Sequence, residues 1–159
     1  MRLYLVRHGH SLSAKEAGVP SDFERPLSQQ GRIDAREAGL YLKQNESLIH
    51  VILHSPLKRA CETASEIDTA LHCPLGTRVF EPLANVITAL ELSREIQPFI
   101  EKNDSIVLVG HQPQLGDLAS LFCGKIIDLK PAEIIAIDLS GKLQNPFLWS
   151  RAPQLHAHQ

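Results

Sequence analysis

The chain has 159 residues, of which 43% are hydrophobic and 21% charged, the size and composition of one soluble globular domain. Its formal net charge of -2 provides no overall attraction to nucleic acid or to an anionic membrane, so we expect neither as a partner. The apolar run at the N-terminus is short and is interrupted by Arg7, and no stretch is long enough to cross a bilayer. We therefore expect a cytoplasmic protein.

Three short apolar runs predict strands that are buried on both faces of a parallel sheet. They cover residues 3–6, 51–53 and 106–109, and none of them alternates with polar residues. Two later runs, residues 134–139 and 147–151, flank a Ser-Gly turn. This pattern predicts a hairpin added antiparallel to the edge of the sheet.

The segments between the first three runs have helical periodicity. One apolar stripe of small residues follows Ser28, a favourable N-cap, and a second stripe follows Pro56. A third helix is expected over residues 88–100, where Pro98 would kink or end it, and a fourth helix is expected to begin at Pro113.

Alternation of strands and helices predicts an α/β fold with right-handed crossovers. We expect a single compact domain, a three-layer α/β/α sandwich with a mostly parallel central sheet, over residues 1–153. Residues 154–159, which include His156 and His158, are expected to form a flexible tail.

Polar motifs follow the three apolar runs directly. Arg7-His8-Gly9 follows the first run, Arg59 comes shortly after the second, and His111 follows the third. The carboxyl ends of neighbouring parallel strands meet at one edge of a sheet, so these side chains are expected to share a pocket. Arg25, in the loop before the first predicted helix, could fold over the mouth of the same pocket.

These residue types suit phosphoryl transfer. Guanidinium groups match the oxygens of a phosphoryl group and stay charged at any relevant pH, while a neutral imidazole can attack phosphorus and carry the group covalently. Several arginines at one place would repel one another without an anion. Gly9, which has no Cβ, is expected to permit a sharp turn and a close approach of the ligand. The start of the helix after Pro56 would point its amide groups at the same anion.

The ordered motifs resemble those of the histidine phosphatase (phosphoglycerate mutase-like) superfamily, whose signature is the sequence Arg-His-Gly near the N-terminus. Within it, the short chain is similar to SixA-type phosphohistidine phosphatases. The resemblance extends over nearly the whole chain and rests on these motifs: Arg7-His8-Gly9, Arg25-Pro26-Leu27-Ser28 with Gly31, Ser55-Pro56 with Arg59-Ala60 and Thr63, Gly110-His111 with Pro113, and the region of Phe147 and Trp149.

The resemblance implies that His8 is the nucleophile and that His111 is the second histidine, which polarises the transferred phosphoryl oxygens. It also implies that Arg7, Arg25 and Arg59 bind phosphate and that the reaction needs no metal or other cofactor. Larger members of the superfamily keep a carboxylate proton donor, for which Glu81 is the nearest candidate in this sequence. His10 either touches the substrate or faces solvent.

The remaining histidines and the cysteines are interpreted as structural. His50, His54 and His72 lie beside the ends of predicted elements, and Cys61 is expected to be buried as a small hydrophobic residue.

The leading functional hypothesis is a phosphatase for phosphohistidine on a protein, such as a histidine phosphotransfer domain, because the small chain has no large insertion that could cover the pocket. A phosphatase or mutase for a small phosphoester is an alternative, and so is a phosphate-binding module without catalytic activity. We expect the chain to be monomeric.

Overall fold

The structure is a computed structural model that describes residues 1–154, so most of the predicted tail, including His156 and His158, lies outside the described residues. The strands are β1 (Arg2–Arg7), β2 (Val51–His54), β3 (Thr77–Val79), β4 (Ser105–Gly110), β5 (Ile134–Asp138) and β6 (Phe147–Arg151). The α-helices are α1 (Ala14–Ala17), α2 (Gln29–Asn45), α3 (Lys58–Leu71), α4 (Ala89–Glu95), α5 (Gln97–Lys102) and α6 (Gln114–Cys123). Two short 3-10 helices cover Asp22–Glu24 and Glu81–Leu83.

All six strands form one sheet in the order β3-β2-β4-β1-β5-β6. Strands β1 to β4 are mutually parallel, whereas β5 runs antiparallel to β1 and β6 antiparallel to β5. The register places Arg7 at the end of β1 beside Gly110 at the end of β4. The residues that follow these two strands, His8 and His111, therefore leave the sheet side by side.

Apolar side chains cover both faces of the sheet, which makes three layers. On one face, α2 and α3 pack through small residues such as Ala38 and Ala64. On the other face, α4 and α6 contribute larger side chains, including Leu92 and Leu118. The sandwich and its mostly parallel sheet are those expected from the sequence, and the antiparallel hairpin at one edge also forms as predicted.

Some element boundaries differ from the predictions. The helix expected over residues 88–100 is two helices that meet at Ile96, because Pro98 occupies the first turn of α5 and favours a new helix start there. Pro113 is the N-cap of α6 and not its first helical residue. No described helix is long and apolar enough to cross a membrane.

Candidate active site

A pocket of about 480 Å³ lies where the carboxyl ends of β1, β2 and β4 meet. The side chains predicted for the site all contribute to its lining: Arg7, His8, Arg25, Arg59 and His111. The structure therefore brings together residues that are separated by more than half of the chain, as the positions of the three motifs predicted.

His8 follows β1 and is held in one tautomer. Its Nδ1 lies 2.7 Å from the carbonyl oxygen of Gly9, which can only accept, so Nδ1 carries the proton and donates. In the neutral ring, Nε2 is then left with a lone pair, and the Nε of Arg59 lies 3.4 Å from it. Burial lowers the pKa of His8 to about 3, and the nearby charges of Arg59 and Arg7 act in the same direction. His8 is therefore a neutral imidazole near neutral pH, with its proton on Nδ1 and a lone pair on Nε2.

His111 follows β4 and packs against His8. The two ring centroids are 5.1 Å apart, and the Nε2 of His111 lies 2.7 Å from the Oγ of Ser55, a fully buried residue after β2. Burial lowers the pKa of His111 to about 4, with Arg59 adding to the effect and Asp22 opposing it. The histidine pair and the serine that contacts it thus follow three parallel strands: His8 follows β1, Ser55 follows β2 and His111 follows β4.

Arg59 and Arg7 flank the histidines. Arg59 lies in the first turn of α3 and donates from Nη1 to the carbonyl oxygen of Asp22 at 2.8 Å and from Nη2 to its carboxylate at 3.2 Å. Arg7 donates from Nη1 to the carbonyl oxygen of Leu129 at 2.9 Å. Its Nε is buried and has no acceptor among the described residues. A phosphoryl oxygen is an acceptor that this buried donor could use.

Arg25 lines the pocket and is held there by the segment after β1 as well as by its own loop. It donates to the carbonyl oxygen of Leu12 at 2.8 Å, to the hydroxyl of Ser11 at 2.9 Å and to the carboxylate of Asp22 at 2.9 Å. A bridge between Ser11 and Leu27 ties this loop to the segment that follows β1. Arg25 thus reaches the pocket from the loop before α2.

Asp22 was not identified from the sequence. Its carboxylate contacts both Arg25 and Arg59, and it is the one carboxylate that lines the pocket in the described part of the chain. The hydrogen bond from Arg25 lowers the pKa of Asp22, and Arg59 adds to this effect. The three arginines and one carboxylate of the lining carry two more positive than negative charges, which matches a dianionic phosphoryl group.

Two glycines allow the segment after β1 to cross the start of α2. A Cβ on Gly9 would lie 2.8 Å from the carbonyl oxygen of Gly31, and a Cβ on Gly31 would overlap the carbonyl oxygen of His10. The sequence suggested that Gly9 permits a sharp turn and a close ligand. The structure shows that the group approaching Gly9 closely is the backbone of α2.

Asn85 is a second site residue that the sequence did not indicate. It adopts a left-handed conformation with φ of 68°, which asparagine tolerates better than most residues. Its side chain accepts from the backbone nitrogen of Gln114 at 3.2 Å and donates to the carbonyl oxygen of Gln112 at 3.1 Å. Asn85 therefore fixes the start of α6 immediately after His111. No local pattern signals this contact, because it joins two loops that are distant in the sequence.

Other candidates have different positions. Glu81 is exposed and does not line the pocket, where Ala84 and Asn85 lie instead. His10 lies at the exposed rim, and its Nδ1 is 2.8 Å from the hydroxyl of Ser28. Cys61 was expected to be buried, but it is exposed, because it projects from the solvent side of α3. The remaining described histidines lie outside the pocket: His50, His54 and His72.

A parallel α/β sandwich with an arginine and histidine pocket at its strand ends defines a class of phosphoryl-binding proteins, and comparisons with known proteins identify the family. Residues 3–79 match the model of the histidine phosphatase superfamily (branch 1). An uncharacterised protein of Picosynechococcus is 34% identical over 142 residues, which are 86% of this chain and 84% of that protein. Phosphohistidine phosphatase SixA of Escherichia coli is 28% identical over 158 residues, 96% of this chain and 94% of the relative.

A solved structure of the protein histidine phosphatase SixA complexed with tungstate has the same fold. It superposes with a TM-score of 0.83 at 25% identity and covers 94% of this chain and 96% of its own. The chain belongs to the histidine phosphatase superfamily, and within it the chain is SixA-like. Phosphatase activity is the chemistry that this membership supports.

Proposed function

We propose that this protein hydrolyses phosphohistidine on a protein substrate through a covalent phosphoryl intermediate on His8. The observation that carries the proposal is the hydrogen bond from Nδ1 of His8 to the carbonyl oxygen of Gly9. It leaves the lone pair of Nε2 beside Arg59, in a ring whose low pKa keeps it neutral.

In the first step, the Nε2 lone pair of His8 forms a bond to phosphorus while the bond from phosphorus to the substrate's ring nitrogen breaks. The electron pair of that bond returns to the substrate's imidazole. In the second step, a water oxygen bonds to phosphorus while the bond from phosphorus to Nε2 of His8 breaks, and the electron pair of that bond restores the neutral ring. One proton of the water moves to a phosphate oxygen, so inorganic phosphate leaves with both protons of the water. Arg7, Arg25 and Arg59 would stabilise the charge on the equatorial oxygens, and His111 would donate a hydrogen bond to one of them. The proposed reaction takes place in the cytoplasm and uses no metal or other cofactor.

The surroundings of the pocket support a protein-borne substrate. Phe23, next to Asp22, is 51% exposed, and Val86, next to Asn85, is 80% exposed. These two exposed apolar side chains, each next in the sequence to a residue of the pocket lining, are ones that a protein surface could cover. The 28% identical relative is itself named a phosphohistidine phosphatase, which favours the same substrate here.

The proposal is tested by incubating the wild type and His8→Ala with a histidine phosphotransfer domain that carries radiolabelled phosphohistidine. We expect His8→Ala to lose roughly 10³-fold or more in kcat, as removal of a nucleophile commonly does. The wild type should also yield a phosphoryl adduct that is labile in acid and stable in alkali. His72→Asn is the matched control, because His72 is an exposed C-cap with a left-handed φ of 49° that asparagine tolerates.

Equal dephosphorylation by the wild type and His8→Ala would contradict the proposal. Faster turnover of a sugar phosphate or phosphoglycerate than of phosphohistidine would instead support the small-phosphoester alternative. Phosphate binding without turnover of any of these substrates would indicate a binding module.

A further inference from the structure

Asp22 lies on the side of the pocket through which a leaving group must depart. The histidines lie at the base, where His111 is only 4% exposed, whereas the side chain of Asp22 is 65% exposed. A phosphoryl group attacked by Nε2 of His8 expels its leaving group in line, away from the base and toward solvent. A single guanidinium, that of Arg59, separates Asp22 from the attacking nitrogen.

The carboxylate of Asp22 is poorly suited to act as a proton donor. Hydrogen bonds from Arg25 and Arg59 lower its pKa, so it is ionised at neutral pH. No other carboxylate lines the pocket within residues 1–154, and Glu81 lies outside it. An ester substrate, whose alkoxide or phenoxide gains negative charge as it leaves, would meet a fixed negative charge and no carboxylic acid.

A phosphoramidate with a protonated leaving group meets the opposite situation. The imidazole ring of phosphohistidine can carry a proton on its second nitrogen, which makes the ring cationic before transfer. When Nε2 of His8 bonds to phosphorus and the bond from phosphorus to nitrogen breaks, the electron pair neutralises that ring. It departs as neutral imidazole and needs no proton from the enzyme.

From this geometry we infer that Asp22 is a specificity-determining residue that favours phosphoramidates with a cationic leaving group over phosphoesters. The inference rests on the proposed phosphatase function and extends it to the basis of substrate choice. The attraction between the carboxylate and a cationic ring holds the substrate at the mouth, while the arginines bind its phosphoryl group.

A purely positional role for Asp22 predicts a different result. Asp22 also orients Arg25 and Arg59, so its removal could lower activity on every substrate. Loss of orientation acts through the phosphoryl group, which all the substrates share. Loss of charge acts through the leaving group, in which they differ. The ratio of activities on two substrates therefore separates the two roles.

The test compares Asp22→Asn with the wild type on one peptide sequence that carries either phosphohistidine or phosphotyrosine. For Asp22→Asn, we expect the kcat/KM for the phosphohistidine peptide, divided by that for the phosphotyrosine peptide, to be about tenfold lower than in the wild type. This is the size of a charge interaction across a partly solvated gap. Asp22→Glu, which keeps the charge, should retain the wild-type ratio. Glu24→Gln is the matched control, because Glu24 lies on the same 3-10 helix and is exposed outside the pocket.

An equal loss on both peptides, or an unchanged ratio, would overturn the inference and leave the proposed function intact. If Glu24→Gln shifts the ratio as much as Asp22→Asn, general surface charge is responsible, and the inference is again wrong. If the wild type releases phosphate from phosphohistidine no faster than His8→Ala, the proposed function itself fails, and this inference fails with it.

Discussion

His8 and His111 are kept neutral by burial beside positive charge. An unfolded chain would expose both rings to water, where histidine has a pKa near 6.5, whereas the folded protein holds their pKa values at about 3 and about 4. The unfolded state therefore binds more protons between these values and pH 6.5. The free energy of unfolding is at its full value above about pH 6.5 and falls as the pH drops through this window.

We expect the wild type to lose about 1–2 kcal/mol of stability for each of the two histidines between pH 7 and pH 5, since each pKa unit corresponds to about 1.4 kcal/mol. His111→Asn removes one of the two titrating histidines, so the free energy of unfolding of this variant should fall less between pH 7 and pH 5. Urea unfolding of both proteins at the two pH values measures the difference. An identical loss in the variant would show that His111 takes up its proton near the ordinary pKa in the folded state.

The sequence identified the residues of the pocket that sit in local motifs. Arg7, His8 and His111 follow buried strands directly, so strand assignment alone was enough to bring them together. Asp22, on a short 3-10 helix, and Asn85 belong to no motif, and each contacts a partner more than 25 residues away, Arg59 and Gln112 respectively. Such contacts depend on how the loops fold over one another, which short-range patterns do not encode.

Helix α2 lies close to the backbone of two other segments, the one after β1 and helix α3, and a glycine occupies each place of contact. Gly31 lies under the segment after β1, where a Cβ would overlap the carbonyl oxygen of His10. Gly39 faces α3, where a Cβ would lie 2.7 Å from the carbonyl oxygen of Ile67. Both obstacles are backbone atoms, so neither can be relieved by moving a side chain.

We expect Gly31→Ala and Gly39→Ala each to lower the free energy of unfolding by roughly 1–3 kcal/mol, the usual effect of overpacking. Only Gly31→Ala should also lower kcat/KM in the folded protein, because it displaces the segment between His8 and the loop of Arg25. Chemical unfolding and steady-state assays on both variants measure the two effects. Full activity in folded Gly31→Ala would show that the active-site segment does not depend on this crossing.

The elements predicted correctly are those with a strong apolar signal. The runs of β1, β2 and β4 have no alternating polar residues, because both faces of these strands are covered by helices. Strand β3 was missed because its three residues are exposed at the edge of the sheet and include no apolar run. Pro98 was expected to kink or end a single helix. Helices α4 and α5 instead meet at Ile96, two residues earlier, because proline is accommodated in the first turn of a helix.

The whole molecule combines a formal net charge of -2 with a pocket whose lining is positive. The groups around this pocket come from the ends of β1 and β4, the first turn of α3 and the loop before α2. An anion bound among them would connect elements from most of the chain. It would bind the folded state and not the unfolded one, so binding should raise the stability of the entire domain.

We expect inorganic phosphate to raise the Tm of the wild type, with about 2.7 kcal/mol of added stability at a ligand concentration 100 times its Kd. Arg59→Gln should largely remove this effect, because it deletes the guanidinium whose Nε lies 3.4 Å from Nε2 of His8. Thermal unfolding at increasing anion concentration measures it, with chloride at equal ionic strength as the control. The same Tm rise in Arg59→Gln would place the anion at a different site.

The central position of β4 has a consequence for synthesis of the protein. Strand β1 pairs with β4 and β5 and never with β2, so the first two buried strands become part of one sheet only when residues 105–110 lie between them. A growing chain on the ribosome that has just released α3 contains β1 and β2 but lacks the strand that joins them in one sheet. The nascent protein must remain inert until its middle strand emerges, and cleavage of the chain before that strand would leave neither half with a working pocket.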